Sequence, residues 1–271
     1  MTTVEEAVRL DVGSHQLAAT VVAPRGRLHG ALFPGVLFIH SWRESQSQYL
    51  TRARQVAALG CVCLTFDLSG HGATHSQWTT VSRETNFHDV LAAYDLLASR
   101  TEVDGSAMAV VGSSYGGYLG AILTTERPVR WLAMRVPALY PDDGWELPKQ
   151  ELHHDFDLTG YRQRRTAAVE NRALRACAAF RGDVLLVESE HDEIVPHPVI
   201  QSYREACAPC RSLSYQVVEG ADHGLTAASH QEAYTSLLVR WLAERLAAGP
   251  AGARSPPPAG AVIPEVPPKT G

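Results

Sequence analysis

The stretch AMAVVGSSYGGYLGAILTTE (107–126) decides how this sequence is read. Its first part, Ala107–Gly112, is a continuous apolar run, as expected of a strand buried on both faces. Its last part, GYLGAILTTE, has the composition of a helix start. Between them lies Gly112-Ser113-Ser114-Tyr115-Gly116, a G-x-S-x-G spacing centred on Ser114. A chain passing from strand to helix in so few residues must bend sharply, and small flanking residues allow it. Such a turn strains the central serine and exposes its hydroxyl above the end of the sheet. It also aims the next amide, that of Tyr115, at a developing oxyanion, assisted by the positive end of the helix. The five-residue pattern is common by chance; its placement between a strand and a helix carries the weight.

The same rhythm extends outward. LAATVVA (17–23), GVLFIH (35–40), CVCLTFD (61–67), RWLAMRV (130–136), DVLLVES (183–189) and LSYQVVE (213–219) read as further strands. Apolar residues at helical spacing mark 48–59, 84–99 and 229–247 as helices. Strand and helix in alternation predict an α/β fold with a doubly wound, mostly parallel sheet, whose binding site lies at the carboxyl ends of the strands. Two regions break the pattern. Residues 137–182 are far longer than an ordinary connection and are expected to form a short helical lid. Residues 249–271 are rich in Pro and Gly without periodicity and are expected to be a disordered tail, leaving 1–248 as the folded domain.

A serine hydroxyl becomes nucleophilic at neutral pH when a base takes its proton and an acid orients that base. Strand 183–189 runs into EHDEIVP, placing Asp192 at a strand end, and strand 213–219 runs into GADHG, placing His223 at the next. The chain order serine, acid, histidine is that of a nucleophile on a strand–helix turn. His40 and His71 precede the serine, His153 and His154 lie in the lid, and His191 adjoins Asp192, so each is a weaker base than His223. Glu190, Glu193 and Asp222 compete with Asp192 for the acid; Asp222 adjoins His223, and adjacent side chains rarely face each other.

The bulk composition narrows the alternatives. The chain has 271 residues, 45% of them hydrophobic and 20% charged, with a formal net charge of −5. These values suit a globular protein, and no basic excess exists to hold a nucleic-acid backbone. No apolar run reaches the ~18 residues of a membrane span, and the acidic start MTTVEEAVRL is unlike a signal peptide; a cytoplasmic location is expected. The five cysteines show no secreted framework. Cys61 and Cys63 lie in a stretch that reads as a buried strand, and the CAPC of Cys207 and Cys210 lacks the second pair a zinc site needs. No metal and no organic cofactor is expected.

On the segments FIHSW (38–42), DLSGHG (67–72), GSSYGG (112–117), HDEIVP (191–196) and ADHG (221–224), residues 15–247 resemble an α/β-hydrolase. The dienelactone-hydrolase-like and small carboxylesterase branches are most similar. The resemblance implies a second oxyanion donor in the loop after the FIH strand, by position the N–H of Trp42, with His40 packing that loop from below. It implies structural roles for Asp67 and His71. The family usually shows HG in this loop, often followed by another glycine, whereas this chain has Ser41, then Arg43 and Glu44 after Trp42. The expected reaction is cleavage of a carboxylic ester through an acyl-enzyme on Ser114, with a small-molecule ester as the partner. A peptidase, thioesterase or acyltransferase could use the same triad, and a non-catalytic binding protein could use the same fold. Tyr140, Trp145, His153 and His154 in the lid are candidates to line the substrate pocket. The arginines of 161–175 are a solvated helix face or contacts for an anionic substrate.

Overall fold

A computed structural model describes residues 2–26 and 32–248; the proposed tail, 249–271, lies outside them. Eight strands form one sheet: β1 (Thr3–Val12), β2 (His15–Pro24), β3 (Phe33–Ile39), β4 (Val62–Phe66), β5 (Val103–Ser113), β6 (Trp131–Arg135), β7 (Asp183–Ser189) and β8 (Ser212–Val218). Their spatial order is β1-β2-β4-β3-β5-β6-β7-β8. Strands β3 to β8 run parallel, whereas β1 and β2 pair antiparallel with each other, and β2 with β4. The expected doubly wound, mostly parallel α/β sheet is therefore present. The chain reverses direction of growth at β3, and the crevice at such a point, beyond the carboxyl ends of the strands, is where these folds bind ligands.

Every residue of β4, β6 and β7 is buried, in keeping with the apolar runs at their centres. The helices divide between the two faces. α1 (Leu50–Ala57) and α8 (Ala228–Ala247) cover one face, packing Ala53, Val56, Leu238 and Trp241 on Val36, Phe38 and Val187. α2 (Arg83–Ala98) and α3 (Tyr115–Glu126) cover the other, with Val90, Leu97 and Leu119 on Leu37, Val110 and Leu132. Ser82 caps α2 by accepting a hydrogen bond from the Thr85 amide at 3.0 Å, satisfying one of the helix's unpaired first-turn donors.

Strand β1 has no counterpart among the strands expected from sequence. Its residues TVEEAVRLDV carry Glu5, Glu6, Arg9 and Asp11, and most of the strand is exposed. It is an edge strand held by its ladder with β2 rather than by burial, and charges on an edge discourage pairing with other chains. Between β6 and β7 lie short helices α4 (Leu152–Asp155) and α5 (Leu158–Arg162), then α6 (Arg172–Ala179). Residues Ala173, Leu174 and Cys177 of α6 join the main core beside Tyr118 and Tyr203, the latter on α7 (His197–Ala206). α6 is thus the crossover helix of the sheet, and the inserted part is the stretch before it.

The fold makes the core and the first edge unequal. Leu64→Ala, at a site fully inside the central sheet, is expected to cost about 2–5 kcal/mol in denaturant unfolding. Val4→Thr on β1, where Val4 is 44% exposed, is expected to stay within about 0.5 kcal/mol.

Candidate active site

Ser114 lies between β5 and α3 with φ 50° and ψ −113°, a conformation disfavoured for a residue with a side chain. The glycines around it are required by contact. A Cβ on Gly116 would sit on the Ile39 carbonyl oxygen, and one on Gly112 would sit on the Gly116 carbonyl oxygen. The helix start is therefore pressed against the end of β3 and the strand that precedes it. Two backbone bonds fix the turn: the Ser114 amide donates to the Arg135 carbonyl at 2.9 Å, and the Ser114 carbonyl accepts from Ala138 N at 3.0 Å.

His223 and Asp192 arrive from the loops after β8 and β7. His223 Nε2 is 3.0 Å from Ser114 Oγ, and His223 Nδ1 is 2.7 Å from Asp192 Oδ2. The Asp192 side chain is 2% exposed. Its other oxygen accepts the amides of Ile194 and Val195 at 2.8 and 2.7 Å, so the carboxylate cannot turn away from the imidazole. Three residues separated by up to 109 positions thus form one hydrogen-bonded chain. Of the competing acids, Glu190 accepts the Gly220 amide at 2.7 Å and Asp222 accepts from Thr226 at 2.7 and 2.9 Å.

The loop after β3 follows a path that its sequence left open. Arg43 takes a left-handed conformation, φ 71°, which favours glycine. The Glu44 amide closes the turn on the Ser41 carbonyl at 3.2 Å, and the Glu44 carboxylate accepts the Ser41 amide and the Tyr49 hydroxyl at 3.2 and 2.8 Å. His40 is buried beneath, its Nδ1 2.7 Å from the Ser41 carbonyl and its Nε2 accepting the Leu68 amide at 2.9 Å. His71 accepts the Arg43 amide at 3.4 Å, and Asp67 accepts the Gln46 amide at 2.8 Å. The amides of Trp42 and Tyr115 make no hydrogen bond among the described residues.

The insertion contributes less uniformly than its sequence suggested. Tyr140 is buried, its ring centroid 5.8 Å from that of Tyr115. Trp145 packs elsewhere, against Phe87 of α2 and the guanidiniums of Arg83 and Arg172. His154 is exposed on α4, and the side chain of His153 lies outside the described residues. Within 161–175, Arg164 pairs with Glu170 and Arg165 with Glu205 at the surface, while Arg162 turns inward to the carbonyls of Leu139 and Ile194.

Lys149 was invisible in the sequence, where it is one lysine in the loop sequence LPKQ. It is 2% exposed, with Nζ 3.8 Å from the Trp42 ring centroid, 4.9 Å from Tyr115 and 5.0 Å from Tyr140. No carboxylate pairs with it among the described residues. Burial pushes the amine well below the ordinary lysine range, and the guanidiniums of Arg162, Arg83 and Arg43 act in the same direction. Among the described residues no cluster of His, Cys, Asp and Glu could hold a metal ion. Cys61, Cys63, Cys177 and Cys207 are buried free thiols; burial pushes Cys61 up to about 12.

With this geometry in view, the relationships of the chain are informative. The prolyl oligopeptidase family model matches residues 46–249, and the chain belongs to that family of serine hydrolases. The α/β-hydrolase domain-containing protein WAV2 of Arabidopsis thaliana is 31% identical over 96 residues, 35% of this chain and 30% of that protein. The chain therefore spans about a third of that relative. An acylaminoacyl peptidase from Pyrococcus horikoshii superposes with a TM-score of 0.68 at 15% identity, over 89% of this chain and 42% of that one. A dienelactone hydrolase from Anabaena variabilis superposes with a TM-score of 0.61 at 18% identity, over 90% of this chain and 99% of that one. These structures share the α/β-hydrolase fold with this protein, as the sequence motifs implied.

The histidines under the site make the fold sensitive to acid. Burial lowers His40 and His71 from 6.5 to about 4, and for His71 the nearby His40 adds to the effect. The unfolded chain takes up these protons below about pH 6.5 and the folded chain only near pH 4. Stability from this source is complete above pH 6.5 and is lost as the pH falls toward 4. Urea unfolding between pH 7 and 4 should show this slope, and His71→Gln should reduce it by up to about 1.4 kcal/mol per pH unit.

Proposed function

We propose that the protein hydrolyses a carboxylic ester of a small or medium substrate through an acyl-enzyme on Ser114. The single observation that carries the reading is the continuous chain from Ser114 Oγ through His223 to the anchored Asp192 carboxylate. In the proposed reaction His223 Nε2 takes the hydroxyl proton as Ser114 Oγ bonds to the carbonyl carbon. Asp192 holds the Nδ1–H tautomer and offsets the charge of the imidazolium. The carbonyl oxygen becomes an oxyanion facing the amides of Tyr115 and Trp42, unpaired among the described residues, and each such donor lowers the barrier by about 3–4 kcal/mol. Collapse of the intermediate breaks the ester C–O bond, and the leaving alcohol takes the proton from His223. Water then enters, gives its proton to His223, and releases the acid while Ser114 recovers its proton. The residues of the chain supply every group in this sequence.

Family membership favours a second reading, in which the same atoms cleave a peptide or acyl-amino bond. Local charge argues for the ester over a peptide with a free amino terminus beside the scissile bond. The groups around Lys149, beside Trp42 and Tyr115, are the guanidiniums of Arg43, Arg83 and Arg162. A substrate bearing a free ammonium near the acyl carbonyl would be repelled there, whereas a neutral or anionic ester would not. No helix among the described residues is long and apolar enough to cross a membrane.

The test compares p-nitrophenyl butyrate with an alanyl p-nitroanilide. The expected outcome is a higher kcat/KM for the ester, with Ser114→Ala lowering kcat by at least about 10⁴-fold while the fold remains. Retained activity in Ser114→Ala removes the mechanism. A preference for the anilide replaces the esterase reading with the peptidase one.

A further inference from the structure

Arg135 ends β6 and is 3% exposed, although its guanidinium has no carboxylate partner among the described residues. A buried guanidinium without counter-charge is costly, and such a group is retained where something compensates it. Its bonds within the chain go to neutral acceptors around the site. Nε is 3.4 Å from the hydroxyl of Ser113, Nη1 is 3.3 Å from the hydroxyl of Ser189, and Nη1 donates to the carbonyl of His223 at 2.9 Å. The Arg135 carbonyl accepts the Ser114 amide. One residue therefore touches the stems of all three loops that bring Ser114, Asp192 and His223 together. The backbone beside it is strained: Val136, which is β-branched, has φ 39°.

Nη2 of Arg135 makes no hydrogen bond among the described residues, and Arg135 lines a cavity of about 700 Å³ on the α1–α8 side of the sheet. That volume is in the range of small-molecule sites. Its lining includes Ser113 and Gly224, the chain neighbours of Ser114 and His223, together with Arg52, Gln231 and Thr235. Arg52 also lacks a carboxylate partner: it donates to the Thr235 hydroxyl at 3.2 Å and to the Gln48 carbonyl at 3.3 Å. Both guanidiniums lie over the Tyr234 ring, Arg52 at 5.0 Å and Arg135 at 5.6 Å from its centroid. Of the acids on the cavity wall, Glu44 is engaged with Tyr49 and Ser41, and Glu232 is exposed and forms no ion pair. The cavity thus presents two guanidiniums without an ion-pair partner among the described residues, together with the side chains of Gln231 and Thr235 and the carboxylates of Glu44 and Glu232.

We propose that this cavity, whose lining includes neither Ser114 nor His223, is a binding site for a small molecule bearing an oxyanion, either a carboxylate or a phosphate. Arg135 supplies its buried counter-charge, and occupancy is transmitted to the imidazole through the bond from Nη1 to the His223 carbonyl. A ligand that draws the guanidinium outward lengthens that bond; one that leaves it in place stiffens the loop. In either case the turnover of the site changes with saturation of the cavity. The binding step is independent of the hydrolase reading, and the transmission step rests on it.

The full chain is titrated with inorganic phosphate and, separately, with succinate, at constant ionic strength maintained with chloride. Melting temperature and the hydrolysis of p-nitrophenyl butyrate are both followed. The expected result is a saturable rise in Tm with one of the two anions, and a change in kcat with the same midpoint. Arg52→Gln, on the cavity wall and outside the catalytic groups, should raise that midpoint at least ten-fold and leave activity without the anion unchanged. Arg135→Lys should abolish the response and lower kcat with KM little altered, which separates positioning of His223 from a general loss of structure. A Tm that does not respond to either anion, or that responds equally in wild type and Arg52→Gln, overturns the site. A saturable Tm shift with kcat constant overturns the transmission. Absence of any ester hydrolysis in the untreated protein would instead indict the proposed function, while the Tm arm would still report on the cavity.

Discussion

The structure turns on the close approach of α3 to the end of β3. Gly116 lies against the carbonyls of Ile39 and His40, and Gly112 against the backbone of Gly116, so the chain between them has room for only one path. That path forces Ser114 into a conformation at φ 50° that its side chain disfavours. The cost is of order 1–3 kcal/mol and is sustained by the parallel sheet on either side. In return, the serine hydroxyl stands above the sheet, the Tyr115 amide is left without a partner among the described residues, and the β3 loop is brought alongside. The arrangement of Trp42, His40 and His71 follows from the same contact, because the loop carrying Trp42 leaves β3 at the point where Gly116 presses on it.

Polarity below and beside this turn is arranged without symmetry. Beneath the Trp42 loop, two buried imidazoles remain neutral and act through hydrogen bonds to backbone. Beside it lies the Lys149 amine among three aromatic rings, its proton disfavoured by burial, with the guanidiniums of Arg43, Arg83 and Arg162 around it. On the far side of the triad, Arg135 joins the stems of the three loops through neutral acceptors. Positive groups thus flank the site from two directions, while the carboxylate closest to the chemistry, Asp192, is committed to His223 and to two backbone amides. An environment of this kind favours the development of negative charge at a bound carbonyl.

Much of this could be read from the residues. Ser114, Asp192 and His223 were legible because each follows an apolar strand and precedes a turn, and the topology of a parallel sheet brings strand ends together whatever their separation in sequence. Trp42 was named from the resemblance to the α/β-hydrolases, and Tyr140 from its place in the insertion. Other features were not legible for physical reasons. Strand β1 is an edge whose charged residues face solvent, so it lacks the apolar run by which the inner strands announce themselves. Lys149 reaches its aromatic box through tertiary folding of an irregular segment, for which no periodicity exists. Trp145 looked like a pocket residue, yet packs on α2, since an aromatic ring in an insertion serves equally to fasten it. Arg135 offered a signal that could have been used: a charge closing the otherwise apolar run WLAM in a strand buried on both faces is expensive, and so points to a specific partner.

The account depends most on Ser114 being the atom that becomes acylated. Incubation with a fluorophosphonate followed by intact-mass and peptide analysis examines that atom directly. One stoichiometric adduct is expected, located on the peptide that contains Ser114, formed at a strongly reduced rate in His223→Ala and absent in Ser114→Ala. An adduct on another residue, or labelling that persists in folded Ser114→Ala, would contradict it.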